Sequence, residues 1–379
     1  MQIEARFHDS IDDIPAAKWD ALCPDDNPFL SHAFLAGLER TGCIRPDWGW
    51  QAHHLGLYRN GELLAAAPLY LKGNSHGEFV FDWSWASAWE RAGGDYYPKL
   101  LNAVPYSPVT GPRLLVGRDA GQAPALRELL VQAMQQRAED LRLSSVHANF
   151  LDAPDLRAFH GEWLARSDVQ FHWHNQGYAD FDGFLSTLNH KKRKNIRHER
   201  QRVAAHGLRI GIRGGAELDA KSWRRVHALY ASTFDAKGNH AALTESFFQH
   251  LRKELGNAVQ LALAWQGEEI VAMGLLLRSS TTLYGRYWGA CVDLPDLHFE
   301  LCYYQGIEYA IAHGLQRFEP GAQGEHKLAR GFLPTHTHSR HYLLHEGFRD
   351  AVARALAQER EGVDAYAEEL LDHSPFAKR

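Results

Sequence analysis

"AVQLALAWQGEEIVAMGLLLRSSTTLYGRYWGA", residues 258–290, is the stretch from which the fold can be read. Three apolar runs are separated by "QGEE" and "SSTT", polar turn-forming clusters, which predicts three consecutive antiparallel strands. Before them, "LRIGIRGG" reads as a strand, and "KSWRRVHALYASTFDAKG" and "LTESFFQHLRKELG" read as amphipathic helices. Further back, "DFDGFLSTLNHKKRKNIRHERQRVAAHG", residues 180–207, reads as one long helix capped by Asp182 and stopped by Gly207. After the three strands come a helix, "HFELCYYQGIEYAIAHG", a strand, "LQRFEPG", a His-rich connection and a final helix over 348–371.

The first half runs in the same order. Two helical pieces occupy residues 14–42. "WQAHHLGLYRNGELLAAAPLYLKG" gives two strands around Asn60-Gly61, a dipeptide that favours a tight hairpin turn. "GEFVFDWSWASAW" reads as a third strand, "PALRELLVQAMQQRAEDLRL" as a helix and "SSVHANFL" as a strand. The expectation is an α/β (α+β) chain built from a duplicated unit with mixed, mainly antiparallel sheets. The first domain is placed at residues 1–165 and the second at 166–379.

Length and composition agree. The chain has 379 residues, enough for two domains, with 45% hydrophobic and 23% charged residues. Its start has neither a basic nor an apolar signal region, and no apolar run reaches the ~20 residues of a membrane span. Cys23, Cys43, Cys291 and Cys302 are far apart and read as reduced thiols. These features predict a cytoplasmic protein without a transmembrane segment. A net charge of −5 disfavours general DNA binding.

The order of elements in each half resembles the GNAT acyltransferase core. Two such units in tandem, with "FLSTLNHKKRKNIRHERQRVAAHG" opening the second, resemble the FemAB-like (Fem/MurM-type) transferases. The resemblance is to a bacterial group of N-acyltransferases linked to peptidoglycan biosynthesis or recognition. It is carried by "HGEFVFDWSWASAW", "YYPKLLNAVPYSPVTGPRLL", "YGRYWGA" and "EPGAQGEHKLARGFLP". It implies two GNAT-like domains, the second on the donor side and the first on the acceptor side, and a C-terminal helix that returns to the first domain. It also implies transfer of an acyl or aminoacyl group to an amine, a peptidoglycan precursor or peptide being one such acceptor. No tightly bound cofactor is expected. The donor is a co-substrate, with aminoacyl-tRNA or a carrier-bound acyl group favoured and acyl-coenzyme A the alternative. An acetyltransferase acting on a small amine and a non-catalytic module that binds cell-wall precursors are the competing readings.

Eight Lys and Arg lie between Lys191 and Arg209, against one acid, Glu199. Leu185, Leu188, Ile196 and Val203 share a face at three- and four-residue steps and should point inward. Arg193, Lys194 and Arg197 then point outward, either as a solvated face or as a surface for a phosphate-bearing donor or acceptor, tRNA included.

Acyl transfer to an amine needs an oxyanion site and a proton acceptor, and no covalent enzyme intermediate. In the GNAT fold the acyl arm lies along the strand that is here "TLYGRYWGA". This implies backbone N–H groups near Trp288 to Ala290, those of Trp288 and Gly289 included, as oxyanion donors and Tyr287 as acid for the leaving group. The glycine pair of the usual pyrophosphate loop is missing from "CVDLPDLHFELC", which weakens coenzyme A as donor. In "EPGAQGEHKLARGF", Lys327 matches a late Fem-type lysine. Lys327 and Arg330 are read as electrostatic stabilisers, with Glu325 or His326 as proton acceptor; alternatively Glu325 and Arg330 pair to hold the turn.

In the first half, Asp82, Trp83, Trp85 and Tyr97 are acceptor-binding candidates, since aromatic rings beside acids suit a cationic or sugar-bearing group. His336, His338, His341 and His345 cluster in sequence. They lack a familiar accompanying acid, so no metal is assigned to them.

Overall fold

The computed structural model describes residues 3–118, 121–236, 238–322 and 324–377. Lys237 and Gln323, inside an expected helix and the expected catalytic loop, lie outside the described residues. The chain forms two compact units, residues 1–169 with 336–365, and residues 170–335 with 366–379. Residues 336–365 thus group with the N-terminal part.

The first unit contains strands β1 (Glu4–His8), β2 (Trp50–Ala52), β3 (His54–Arg59), β4 (Glu62–Ala67), β5 (Leu69–Lys72), β6 (Lys99–Asn102) and β7 (Ser145–Ala148). Strands β1, β3 and β4 make a small antiparallel sheet. Asn60 and Gly61 both take positive φ, the geometry that a two-residue hairpin turn requires. In the second sheet, β2 and β6 flank β5, β6 runs parallel to β7, and residues 340–343 pair antiparallel with β7. The helix Ala123–Asp140 packs Leu126, Leu130 and Met134 into a core with Leu57, Leu100 and Val146. Each buried aliphatic side chain there contributes about 1.5–3 kcal/mol relative to exposure.

Strand β8 (Leu164–His174) leads into the second unit, which adds β9 (Arg209–Gly214), β10 (Val259–Gln266), β11 (Glu269–Arg278), β12 (Thr282–Ala290) and β13 (Arg317–Glu319). Strands β9 to β12 form an antiparallel meander in chain order, β13 joins β12 in parallel, and β8 closes on β13. The apolar runs of 258–290 are therefore three strands, with β10 and β11 buried along nearly their whole length. Helices Ala220–Asp235 and Glu245–Glu254 bury Trp223, Val226, Phe247 and Leu251.

Four expectations change. Residues 180–207 form two helices, Phe181–Thr187 and His190–Ala204. Leu188 is extended, and Asn189 caps the second helix through its side chain, so a new helix starts where continuity was expected. Asp180, not Asp182, caps the first. The stretch 77–89 is not a strand, because a helix starts at Trp83 and runs to Arg91. The His-rich connection is a strand, β14 (Leu333–Leu343), which carries His336, His338 and His341. No helix among the described residues is long and apolar enough to cross a membrane.

Candidate active site

The second unit opens where β12 and β13 part. They pair only at Thr282–Arg317, Leu283–Phe318 and Tyr284–Glu319. Pro320 follows, and it has no N–H to continue the ladder. On the other edge of β12, Leu275 faces Tyr287 and Leu276 faces Gly285, so Arg286 is the extra residue of a bulge. Bulges redirect side chains next to sites. A methyl group on Gly285 would lie 3.1 Å from Pro320 Cα, so a small residue fits at the mouth of the wedge.

The wedge holds a cavity of about 90 Å³ whose walls include Arg286, Tyr287, Trp288, His298, Cys302 and Tyr303. His298 and Cys302 come from the helical run 297–312, which widens to a π-helical turn at Glu300–Tyr304. Burial lowers Arg286 below its usual value and raises Cys302 to about 12, so that thiol is not a ready nucleophile. Burial, helped by His326, Lys327 and Arg330, pushes His298 down to about 4.

The four residues of the late loop sit on one short helical segment, Glu325–Arg330, and do different things. Lys327 is 2% exposed, and its ammonium donates to the Gly321 carbonyl at 2.7 Å. Burial pushes it down to about 8, opposed only by Cys302. Arg330 donates to Tyr304 Oη at 3.0 Å, to the His326 carbonyl at 2.8 Å and to Glu199 at 2.9 Å, and lies 3.4 Å over the Phe299 ring. His326 is exposed, with Nε2 2.8 Å from the hydroxyl of Tyr303, a residue that lines the cavity. Glu325 is exposed and accepts from Tyr366 at 2.7 Å, not from Arg330.

Tyr287 and Trp288 both line the cavity. Gly289 does not. A Cβ there would meet the Leu229 carbonyl oxygen at 2.0 Å, so this glycine is set by close packing on helix Ala220–Asp235. Arg286, His298, Cys302, Tyr303 and Glu199 were not singled out from sequence. His298 and Cys302 have i,i+4 spacing, but nothing in the letters marks the bulge that aims Arg286.

The basic helix divides in two. Arg200 bonds Glu300 and Glu308, and Arg202 bonds Asp296, so these two clamp the helix to the 297–312 run. Arg193, Lys194 and Arg197 line an open groove of about 890 Å³ with His190, His198 and Ser186. Arg197 reaches Asp182 at 2.9 Å, a contact at an exposed surface. Leu185, Leu188, Ile196 and Val203 are buried.

In the first unit, Asp82 is buried and accepts from Ser75, from Tyr96 at 2.6 Å and from Lys99 at 2.6 Å. Burial would raise its carboxyl, but the charge and hydrogen bond of Lys99, with the hydrogen bond from Ser75, hold it well below the usual carboxylate range. Tyr97 joins this cluster through Ser75 at 2.8 Å. Trp85 is buried edge-on against His341, whereas Trp83 is exposed and stacks on Phe81 at 4.5 Å. Among the described residues, no group of three or more His, Cys, Asp or Glu is placed to hold a metal ion.

The family described as FemAB-like, peptidoglycan biosynthesis/recognition, matches residues 10–378. No curated protein sequence matches the chain. Solved structures share the fold. FemX has 12% identity, a TM-score of 0.51, and coverage of 93% of this chain and all of that one. L-PGS from Bacillus licheniformis has 11% identity, a TM-score of 0.50, and coverage of 88% and 98%. The C-terminal domain of a putative lysylphosphatidylglycerol synthetase from Agrobacterium fabrum has 9% identity, a TM-score of 0.53, and coverage of 90% and 95%.

Proposed function

Because the chain belongs to the FemAB-like family, we propose that it is an N-acyltransferase that moves an acyl or aminoacyl group from an activated donor to an amine by direct attack. The observation that carries this reading is Lys327, a buried ammonium that donates to the Gly321 carbonyl and interacts electrostatically with Cys302, a residue in the wall of the β12–β13 wedge. A cation held in a poorly solvated place strongly stabilises charge that develops on a carbonyl oxygen. In this mechanism the donor's carbonyl enters the wedge and the amine attacks it. Lys327 offsets the oxyanion. The proton lost by the amine passes to the Tyr303 hydroxyl and on to exposed His326, while Tyr287 protonates the leaving group. Arg330, fully engaged by Glu199, Tyr304 and the His326 carbonyl, positions the loop.

The donor is an aminoacyl-tRNA or a carrier-bound acyl group rather than acyl-coenzyme A. Supporting this, the start of the 297–312 run, where a coenzyme pyrophosphate would sit, presents Asp296 already paired with Arg202. The groove lined by Arg193, Lys194 and Arg197 supplies guanidinium and ammonium groups for donor phosphates. The acceptor class is the amine of a peptidoglycan precursor or peptide, and the site of action is cytoplasmic. Mass spectrometry of reactions containing charged tRNA, an amine-bearing peptidoglycan precursor and the full chain tests this. An N-acylated precursor that disappears with Lys327→Ala supports it; product undiminished in that variant sinks it.

A further inference from the structure

The first unit contains a second cavity, of about 100 Å³, whose walls include Phe79, Phe81, Phe150, Arg166, Asp168 and Ser339. Two of its rings stand on strained backbone, since Phe79 has φ 62° and Phe150 φ 58°, values that bulky residues rarely adopt. The Arg166 charge is compensated by Glu359 at 2.6 Å, and its Nη1 is spent on the Phe81 carbonyl. That leaves a small space walled by three aromatic residues, Val80, Ser167, Thr337 and His338, with the exposed acidic residue Asp168 at its rim.

Ser339 is the end of a buried hydrogen-bonded chain. Its hydroxyl meets His341 Nε2 at 2.8 Å, His341 Nδ1 meets His147 Nδ1 at 2.6 Å, and His147 Nε2 meets Ser145 Oγ at 2.8 Å. His147 Nε2 also lies 3.5 Å from Tyr96 Oη, which donates to Asp82 at 2.6 Å. Lys99 then bridges Asp82 at 2.6 Å and Glu78 at 2.9 Å. Burial keeps both imidazoles neutral, lowering His147 to about 3 and His341 well below its usual value. The charged groups acting on the pair are Asp82, Lys99 and Arg166. Two neutral rings sharing one proton between their Nδ1 atoms have two registers, and switching from one to the other moves a proton along the chain. At the far end, Glu78 Oε1 is buried without a hydrogen-bond partner among the described residues, and burial raises this carboxyl to about 7.

We propose that this cavity binds a protonated primary amine and that Ser339, His341 and His147 form a wire that carries one proton from it to the Asp82–Lys99–Glu78 cluster. Choosing an amine as the ligand rests on the transfer reading above and on the aromatic and acidic walls, which suit an ammonium group. One N–H bond of the ligand breaks as Ser339 Oγ takes its proton. Ser339 gives its own to His341 Nε2, and the Nδ1 proton of His341 passes to His147. His147 Nε2 releases its proton through Ser145 and Tyr96 to Asp82. Lys99 takes that proton and delivers one of its own to Glu78, where the new O–H forms. Every residue between the ligand and Glu78 gives one proton and receives one, and the ligand is left as the neutral amine that acylation requires.

Nitrogen NMR of the full chain labelled at histidine reads the tautomers directly. Glycinamide is the probe, and its trimethylated analogue, which has the charge but no ammonium N–H to give, is the control. The expected result is that glycinamide inverts the tautomers of His147 and His341 together and the analogue does not. In Ser339→Ala, glycinamide still shifts pocket resonances but leaves both rings unchanged. Rings that stay in one tautomer with glycinamide, or that invert equally in Ser339→Ala or with the analogue, overturn the proposal. Absence of any acyl product while the tautomer response persists would count against the transfer reading and leave the wire standing.

Discussion

Arg330 Nη2 donates to Glu199 Oε1 at 2.9 Å, and both side chains are largely shielded from water. This pair ties the segment carrying Lys327 to the helix carrying the basic groove. Removing one partner leaves the other buried and uncompensated, which typically costs about 3–5 kcal/mol. Glu199→Ala should therefore lower stability in urea unfolding by that order, and Arg330→Lys should fold better than Arg330→Ala yet lose the forked contacts. An unfolding midpoint in Glu199→Ala equal to that of the parent chain would contradict the clamp.

Lys327 gives a pH dependence of definite sign. Its folded value, about 8, lies below the usual 10.5 because burial disfavours the ammonium. Between those values the unfolded chain binds more protons, so this group's contribution to stability rises with pH from about 8 to about 10.5 and is least below 8. Lys327→Met should stabilise the chain near pH 7 by about 3 kcal/mol while abolishing transfer. If the ammonium form is the working one, kcat falls above about pH 8 in the parent chain. Thermal melts across that range check the first claim and a pH–rate profile the second.

Charge reversal separates the two parts of the basic helix. Arg193 and Arg197 are at an open groove, so Arg193→Glu with Arg197→Glu should leave folding intact. If both contact phosphates, the double variant should reduce the salt slope of donor binding by about two. Arg200→Ala should instead cost stability, because Arg200 is held by Glu300 and Glu308.

Gly289→Ala should be destabilising by about 3 kcal/mol, since its new methyl would have to displace helix backbone at Leu229. Gly285→Ala needs only a small shift of Pro320 and Phe318, so it should fold and narrow the wedge. The pair therefore separates packing from catalysis, read as unfolding midpoint against transfer rate.

In the first unit, Asp82→Ala should cost about 3–5 kcal/mol because it removes one of the two carboxylates that hold buried Lys99 and leaves Ser75 and Tyr96 without this acceptor. Trp83→Ala should leave stability nearly unchanged, because that ring is exposed. A binding defect confined to Trp83→Ala would place acceptor contact on the Phe81–Trp83 surface rather than on Asp82.

The parts of the fold that were legible in sequence are those where one local pattern is uncontested. The strands of 258–290 read clearly because they are buried and bounded by turns, and Asn60-Gly61 forms the turn its residues prefer. The break at Leu188-Asn189 was hidden because the hydrophobic spacing continues through it, and only the capping side chain of Asn189 marks it. The helix at Trp83–Arg91 was hidden by aromatic residues that favour strands. At the site, Lys327 could be picked by motif, but its burial and the opposed Arg330–Glu199 contact depend on residues 131 positions apart. The Arg286 bulge and the His147–His341 contact likewise arise only when distant strands meet.

The most direct measurement is binding of the purified full chain to charged tRNA, acetyl-coenzyme A and an acyl-carrier protein, each across a salt series. The predicted result is binding to charged tRNA or acyl-carrier protein that weakens with salt and with charge reversal at Arg193 and Arg197. Tight coenzyme A binding, indifferent to both, with no affinity for the other two donors, would contradict it.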